Sequence, residues 1–589
     1  MITRLSADIE TDDIDAKVIH CLVTQNIDTG ELYKYDDSGQ HESLTTGLNV
    51  LATADEVWMH NGSMFDIPVI KKLYPFFKME GKLYDTLLLS RLFFPDLLDR
   101  DFRSKPPNMP AQMYSRHSLE AWGYRIGEYK SEYMKSVDKD FSVYTPEMLE
   151  YCCQDVRVLT ELTKIFQPKL EQYQQAIDLE HKVAAIMAWQ EKNGWPFDIE
   201  KAQVLEDKLR RELEKLSDEM RGTFHYVDGG PFVPKRDNST RGYVTGAAFT
   251  RLKDFNPCSR QHIAFAFETF RGWEPTEKTE TGRAKIDESV LFAIGTEESK
   301  KFARILELQK HLGMLSEGQN AWLKRVKSDS RIHHSCVMNT NTFRQVHLRP
   351  NLSQVPSAKE YRELFHPGKG RVEVGCDASG LELRILGSYL FPFDGGKFAR
   401  EVVEGDIHTH LGKIYGSADR SSSKRTTYCL IYGGGNYRLG LAAGCGPKDA
   451  ARKGKEIRGK VLKNLAGFSE LSAALSERSR TGVLKALDGR PLRLCGKPHV
   501  ALNWLCQSAG AIVCKIWLVK ANEHLREANI DYFQMGFIHD EMQFSVHPDH
   551  AEKAASIITK AIKHVAKYVP VKCELDAEAQ IGNTWADCH

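Results

Sequence analysis

Zinc-site spacing is missing from this sequence: it holds no CxxC pair and no Cys/His cluster, although it has thirteen cysteines. A structural zinc module is thereby excluded. The thiols are scattered and odd in number, with Cys152 and Cys153 adjacent in a helical stretch, and they read as reduced and mostly buried. No apolar run reaches the roughly 20 residues that cross a bilayer, so no membrane partner is expected. The opening MITRLSADIETDD lacks the basic and apolar regions of a signal peptide, and a cytoplasmic location is expected. There is no internal repeat and no low-complexity tract. Gly433–Gly435 lacks the Lys-Ser/Thr of a P-loop and reads as a helix end rather than a phosphate cradle. An excess of one charge is missing as well, since 80 Lys/Arg meet 79 Asp/Glu, a net +1.

What is present is uneven. Residues 1–150 hold 16 Lys/Arg against 25 Asp/Glu, whereas residues 411–500 hold 18 against 6, a net +12 that suits a polyanion. At 589 residues, 42% hydrophobic and 27% charged, the chain fits several globular domains. The first ~165 residues alternate strand-like segments (KVIHCLVT, EVWMHNG) with helical ones (LYDTLLLSRLFF, MLEYCCQDVRVLTELTKIF), a mixed α/β pattern. After DLEHKVAAIMAWQEKNGW come two charged, heptad-like helices, IEKAQVLEDKLRRELEKLSDEMR and SKKFARILELQKHLGMLSEGQNAWLKRV. Between them, residues 222–260 read as loop. The last third returns to α/β, with RVEVGCDAS as a strand and GFIHDEMQFSV as a hairpin turning near Asp540.

Four N-terminal acids carry chemistry as a set: Asp8 and Glu10 in SADIET, Asp66 in HNGSMFDIP, and Asp155 in YCCQDV. Asp8 and Glu10 lie two apart on a strand and therefore share a face. Carboxylates gathered on one face repel unless cations neutralise them, and two Mg²⁺ or Mn²⁺ ions about 3.5–4 Å apart do so. Tyr151, one helical turn before Asp155, is placed to orient an attacking water. A second set lies near the C-terminus. Asp377 ends an apolar strand and Asp540 sits at the hairpin turn, so two strand ends make a second two-metal site, to which the Ala378 carbonyl is a further ligand. In ADRSSSKRTTYCLIYGGG, Arg420, Lys424, Tyr428 and Tyr432 recur every four residues, and the first three share one helix face. Arg420 and Lys424 can hold a triphosphate, and an aromatic ring one turn on can stack on a base.

Together these motifs resemble known ones. The order D-x-E, N-x3-F-D, Y-x3-D resembles the DEDD 3′→5′ exonucleases with a motif tyrosine. DASGLELR, R-x3-K-x3-Y-x3-YG and HDE resemble motifs A, B and C of family A DNA polymerases. QSAGAIVCKIW, PNLSQVP, GDIHT, WADCH, SLEAWGYRIGE and LEHKVAA look like its phage branch, of the coliphage T-seven type, over nearly the whole chain. The resemblance implies an α/β multidomain protein: a ribonuclease-H-like exonuclease domain (residues 1–178) and a right-hand polymerase (179–589). In the latter the thumb is about 190–330, the palm about 331–405 and 491–589, and the fingers about 406–490. It implies catalysis by Asp377, Asp540 and Lys424 at one site and by Asp8, Glu10, Asp66, Asp155 and Tyr151 at the other. Metals would be held by Asp377, Ala378 and Asp540, and by Asp8, Glu10, Asp66 and Asp155, with two Mg²⁺ per site and Mn²⁺ able to substitute. His408, Arg420, Lys424, Tyr428 and Glu382 would bind the nucleotide, Glu382 excluding ribose with Tyr428 as its partner. Arg344, Gln507, Asn503 and Tyr432 would touch DNA, the first two in the minor groove.

Expected partners are primer–template DNA and dNTPs, with a replicative helicase-primase and a single-stranded DNA-binding protein as further candidates, the chain being a monomer in a host cytoplasm. Thioredoxin is not expected, because residues 222–260 are too short for the long insertion that binds it in the T-seven type. Cys429 departs from the Gly usual after the motif tyrosine. Two alternatives stay open: a single-subunit RNA polymerase relative, and a nuclease whose C-terminal half only binds DNA.

Overall fold

The computed structural model describes residues 2–128, 141–275, 277–417 and 419–588. They form two compact units: residues 1–196 with 333–589, and residues 197–332.

Two sheets of four or more strands organise the first unit, beside smaller two-stranded ones. The N-terminal one runs β3-β2-β1-β4-β5, with β1 (Arg4–Thr11), β2 (Ile19–Asn26), β3 (Leu32–Asp36), β4 (Glu56–Met59) and β5 (Lys82–Asp85). β1 pairs antiparallel with β2 and parallel with β4. Along β1 the buried Ala7 and Ile9 alternate with half-buried Asp8 and Glu10, the period of a strand packed on one face. Helices α1 (Leu44–Thr53), α2 (Asp66–Leu73) and α3 (Thr86–Phe93) follow from the same stretch, and α4 (Pro146–Phe166) packs across β1 and β2. α4 starts where Thr145 accepts the Met148 N–H and Pro146 takes the first helical position. It buries Tyr151, Cys152, Asp155, Val156 and Leu159 as one stripe. α5 (Leu170–Asn193) follows. LYDTLLL does not begin as helix as its pattern suggested; Lys82–Asp85 joins the sheet, and Asp85 caps α3 through the Leu87 and Leu88 N–H groups.

In the second unit α6 (Ile199–Thr223) and α7 (Glu297–Leu312) pack together, with the Arg304 guanidinium bidentate on Glu212 at 2.7 and 2.9 Å. The second heptad-like helix stops at Leu312, where a five-residue π turn at Gly313–Glu317 breaks it. Residues 222–260 are not all loop: β6 (Tyr226–Phe232) and β7 (Phe249–Asp254) form a hairpin. Every residue of β7 is exposed, and β6 carries Gly229-Gly230-Pro231 at a register shift, so no period-2 alternation marks either strand.

The C-terminal sheet of the first unit is antiparallel, order β9-β10-β8-β11, with β8 (Val372–Ala378), β9 (Tyr532–Ile538), β10 (Glu541–Val546) and β11 (Ala577–Gly582). Around it lie α8 (Leu381–Asp394), α9 (Ile407–Tyr415), α10 (Arg420–Ile431) and α11 (Ala501–Glu527). Gly375 on β8 admits the closing segment, since a Cβ there would lie 2.6 Å from Cys588 Cβ. α11 corrects one expectation. It is long and apolar enough to cross a membrane, but 78% of that window is buried in the protein. It is hydrophobic all round because it is a core helix.

Candidate active sites

At the N-terminal site β1 offers Asp8 and Glu10, and α4 lays Tyr151, Cys152 and Asp155 against it. Among the described residues, Asp8, Glu10 and Cys152 form a group whose ligand atoms all lie within 4.8 Å of one another. The Cys152 thiol donates to the Asp8 carbonyl at 3.5 Å and to its carboxylate at 3.8 Å. The Tyr151 phenol is pushed up by burial, then by the charges of Asp155, Glu10 and Asp8, so all four groups face one space. Asp66, the first residue of α2, is buried and accepts the backbone N–H of Ile9, between Asp8 and Glu10. Burial, and then the charge of Asp85, push its carboxyl up to about 7. Of the four acids named from sequence, Asp8 and Glu10 are thus set side by side, Asp155 lies one helical turn from the Tyr151 that faces them, and Asp66 reaches the same strand at Ile9. The Asp8 and Glu10 carboxylates repel each other unless a cation neutralises them.

At the C-terminal site the register of the sheet does the positioning. Asp377 pairs with Glu541 across β8 and β10, and the Ala378 N–H donates to the Asp540 carbonyl at 3.0 Å. Asp540 occupies a two-residue turn in which His539 takes φ +60°. Asp377 is exposed and Asp540 half-buried. The Asp540 carboxyl is pushed up to about 6 by burial, then by Glu382. Glu541 is buried and engaged by Gln543 Nε2 at 2.6 Å and by the Trp585 indole N–H.

α10 faces this pair. Its exposed stripe carries Arg420, Lys424 and half-buried Tyr428, while Ser422, Ser423, Thr426, Thr427, Leu430 and Ile431 are buried. Burial raises the Tyr428 phenol to about 12, and Glu382, Asp540 and Asp377 add to it, which places that ring beside all three acids. His408, buried in the first turn of α9, lies with its ring 6.0 Å from that of Tyr428. Burial lowers its basicity, and Arg420 and Lys424 lower it further. Asp406 caps α9 and accepts from Arg420 Nε at 2.9 Å. Gly433, at φ +73°, ends the α10 segment, and a Cβ there would sit 3.6 Å from Asn503 Cβ on α11. Gln507 follows one turn later on α11, half-buried.

One pairing differs from the sequence expectation. Glu382, in the first turn of α8, accepts its hydrogen bond from the Tyr432 hydroxyl at 2.8 Å rather than from Tyr428, and Arg344 Nη2 lies 3.6 Å from the same oxygen. A four-residue step on a helix drifts by about 40°. Tyr432, capping the end of α10, is thus the ring turned to Glu382, while it stacks on Tyr428 at 6.0 Å. Sequence reasoning also gave no role to Cys152, Asp85 or Trp585, although Cys152 lies inside the Y-x3-D motif and Trp585 opens the closing WADCH.

Paired carboxylates at adjoining strand ends, facing a helix that lines up a guanidinium, an ammonium and two tyrosines, define a nucleotide-polymerising enzyme. Residues 242–587 match the model of DNA polymerase family A. The chain is 30% identical to the DNA-directed DNA polymerases of Enterobacteria phage T3 and Escherichia phage T7, over 99% of its length and 100% of theirs. It is 24% identical to DNA polymerase I of Aquifex aeolicus, over 80% of this chain and 82% of that one. In fold it resembles the polymerase domain of Pol1 from M. smegmatis, solved with DNA primer–template and dNTP, at TM-score 0.74 and 16% identity, covering 100% of this chain and 96% of that one. The chain belongs to DNA polymerase family A and is a DNA-directed DNA polymerase. Polymerases of this family are metal-dependent.

Proposed function

We propose that the C-terminal site extends a DNA primer from dNTPs and that the N-terminal site trims 3′ ends as a proofreading exonuclease, in a host cytoplasm. The observation that carries this reading is the pair of separate acid gatherings: Asp8 and Glu10 on one strand face against the helix of Tyr151 and Asp155, and Asp377 and Asp540 at adjoining strand ends beside Tyr428. Asp377, Asp540 and the Ala378 carbonyl would hold two Mg²⁺ at one site, and Asp8, Glu10, Asp66 and Asp155 two at the other, with Mn²⁺ able to substitute. When bound, such ions neutralise the gathered charge and polarise the reacting phosphate and its attacking oxygen. The chain's own groups do the rest. Arg420 and Lys424 bind the triphosphate, Lys424 as the proton donor, with neutral His408 beside it. Tyr428 stacks on the incoming base, and Glu382, held by Tyr432, crowds a ribose 2′-hydroxyl. Arg344, Gln507 and Asn503 contact the primer–template, and Tyr151 orients the water that attacks the 3′-terminal phosphodiester.

In this reading the exonuclease domain spans residues 1–178, the thumb about 190–330, the palm about 331–405 and 491–589, and the fingers about 406–490. The net +12 of residues 411–500 suits the DNA backbone. The structural relative bound to primer–template and dNTP supports these partners. The alignments to the phage T3 and T7 enzymes run over 709 and 707 positions against 589 residues here, which supports the loss of an insertion and independence of thioredoxin.

A labelled primer–template tests the two-site reading. Asp540→Ala should stop extension and leave primer shortening, and Asp8→Ala should do the reverse. One substitution that removes both activities overturns it, and a large gain in product length on adding thioredoxin overturns the partner assignment.

A further inference from the structure

We propose that Asp85 is a positioning residue for the N-terminal site: its carboxylate fixes the loop that aims Asp66. This inference rests on the exonuclease reading of that site.

The six residues His60–Phe65 connect β4 to α2, whose first residue is Asp66. That helix start has little support of its own, because Phe65 at its N-cap offers no side-chain hydrogen bond. The loop is also bent, with Asn61 at φ +72°, a conformation unfavourable for a non-glycine residue unless its surroundings hold it. Asp85 supplies the hold. It is fully buried, and its Oδ1 accepts the Asn61 N–H at 3.0 Å while its Oδ2 accepts the Ser63 N–H at 3.0 Å. The same carboxylate caps α3 through Leu87 at 3.0 Å and Leu88 at 3.4 Å. Asp85 is pinned in turn, since its own N–H donates to His181 Nε2 on α5 at 2.7 Å.

One buried anion thus joins the loop of one acid to the rest of the unit. Four backbone donors on it are what keep an uncoordinated carboxylate buried. An ordinary helix cap needs only the two contacts to Leu87 and Leu88. The two contacts to Asn61 and Ser63 stiffen nothing in α3, and they lie three and five residues before Asp66. A displacement of Asp66 by about 1 Å is enough to cost a site on the order of 10²-fold in rate.

Asp85→Asn separates the two roles. Asparagine caps a helix as well as aspartate does, but its amide nitrogen cannot accept an N–H, so one loop tether is lost. Extension of a labelled primer serves as the internal standard. The expected result is retained extension, a tenfold or greater fall in kcat for shortening of single-stranded DNA, and a severalfold rise in the Mn²⁺ concentration that half-saturates it. The second readout needs no turnover: Mn²⁺ binding followed by electron paramagnetic resonance, taking the Asp8→Ala-sensitive ions as those of the N-terminal site. These should bind severalfold more weakly in Asp85→Asn. Unchanged Mn²⁺ binding and unchanged shortening overturn the proposal, as does an equal fall in both activities, which would mark a general folding role. If Asp66→Ala leaves shortening intact while Asp85→Asn impairs it, the fault lies in the assignment of Asp66. If wild-type protein has neither shortening nor Asp8-sensitive ions, the exonuclease reading fails and this inference falls with it.

Discussion

The two acid sites of this polymerase are built in different ways. The C-terminal one is a matter of sheet register: Asp377 faces Glu541 across neighbouring strands, and Asp540 sits in the turn that joins β9 to β10. The N-terminal one needs three elements to dock, a strand bearing Asp8 and Glu10, a helix start bearing Asp66, and the interior of α4 bearing Asp155. Depth differs too. Asp66 and Asp155 are buried, whereas Asp377 is exposed and Asp540 half-buried. A site made by docking is sensitive to whatever holds its elements in place, and a site made by register is sensitive mainly to its own sheet.

The sharpest way to break that contrast is a residue serving both halves. Glu180 on α5 is fully buried and accepts from Lys515 on α11 at 2.6 and 2.8 Å, and from Arg490, which also grips Asp488. The nearby Lys515 and Arg490 hold the Glu180 carboxyl ionised against the cost of burial. Its neighbour His181 takes the Asp85 N–H. Glu180→Ala leaves Lys515 buried without its partner, a loss of about 3–5 kcal/mol, seen as a lower Tm. Extension and shortening should decline together. A decline in shortening alone would show that α11 does not depend on this network.

Next in size are the acids themselves. Asp377→Ala should reduce primer extension, and Asp155→Ala 3′-end shortening, each on the order of 10²–10³-fold, with the other activity within twofold in a single-turnover assay. A cross-effect would mean that the two sites are not independent.

What the sequence disclosed follows the same line. The strand bearing Asp377, the hairpin bearing Asp540 and the α10 stripe of Arg420, Lys424 and Tyr428 were legible because each lies within one local period. The acids Asp8, Glu10, Asp66 and Asp155 were legible as motifs. The supports were not: Asp85, His181 and Glu180 act through contacts 22 to 335 residues apart in the chain. The exposed hairpin β6–β7 left no trace because neither strand alternates. Tyr432 was assigned to DNA because position on a helix does not reveal which neighbour a ring at the helix end will meet.

Depth also predicts a pH effect. Asp66 rises from 3.8 to about 7 and Asp540 from 3.8 to about 6. Between pH 4 and these values the folded chain keeps protons that the unfolded chain has released. Stability of the metal-free protein therefore falls as pH rises through that window. Mg²⁺ should raise Tm by roughly a few degrees at pH 8 and less at pH 5. Asp66→Asn should remove more of this pH dependence than Asp540→Asn. The reverse order would place the deeper, more strained acid at the C-terminal site.

The smallest effect concerns a single hydrogen bond at the register-built site. The Tyr432 hydroxyl donates to Glu382, and that carboxylate also lies beside Arg344 and raises the Asp540 carboxyl. Tyr432→Phe removes one bond of about 0.5–1.5 kcal/mol and keeps the ring stacked on Tyr428. Glu382 then keeps Arg344 beside it and samples more positions. The efficiency ratio of ribonucleotide to deoxynucleotide incorporation should rise about 2- to 10-fold, with end shortening unchanged. Tyr428→Phe, which leaves the Glu382 bond intact, should not produce that rise. If Tyr428→Phe relaxes sugar selection and Tyr432→Phe does not, the pairing seen here is not the one that acts on the nucleotide. The pairing first expected from the motif would then be restored.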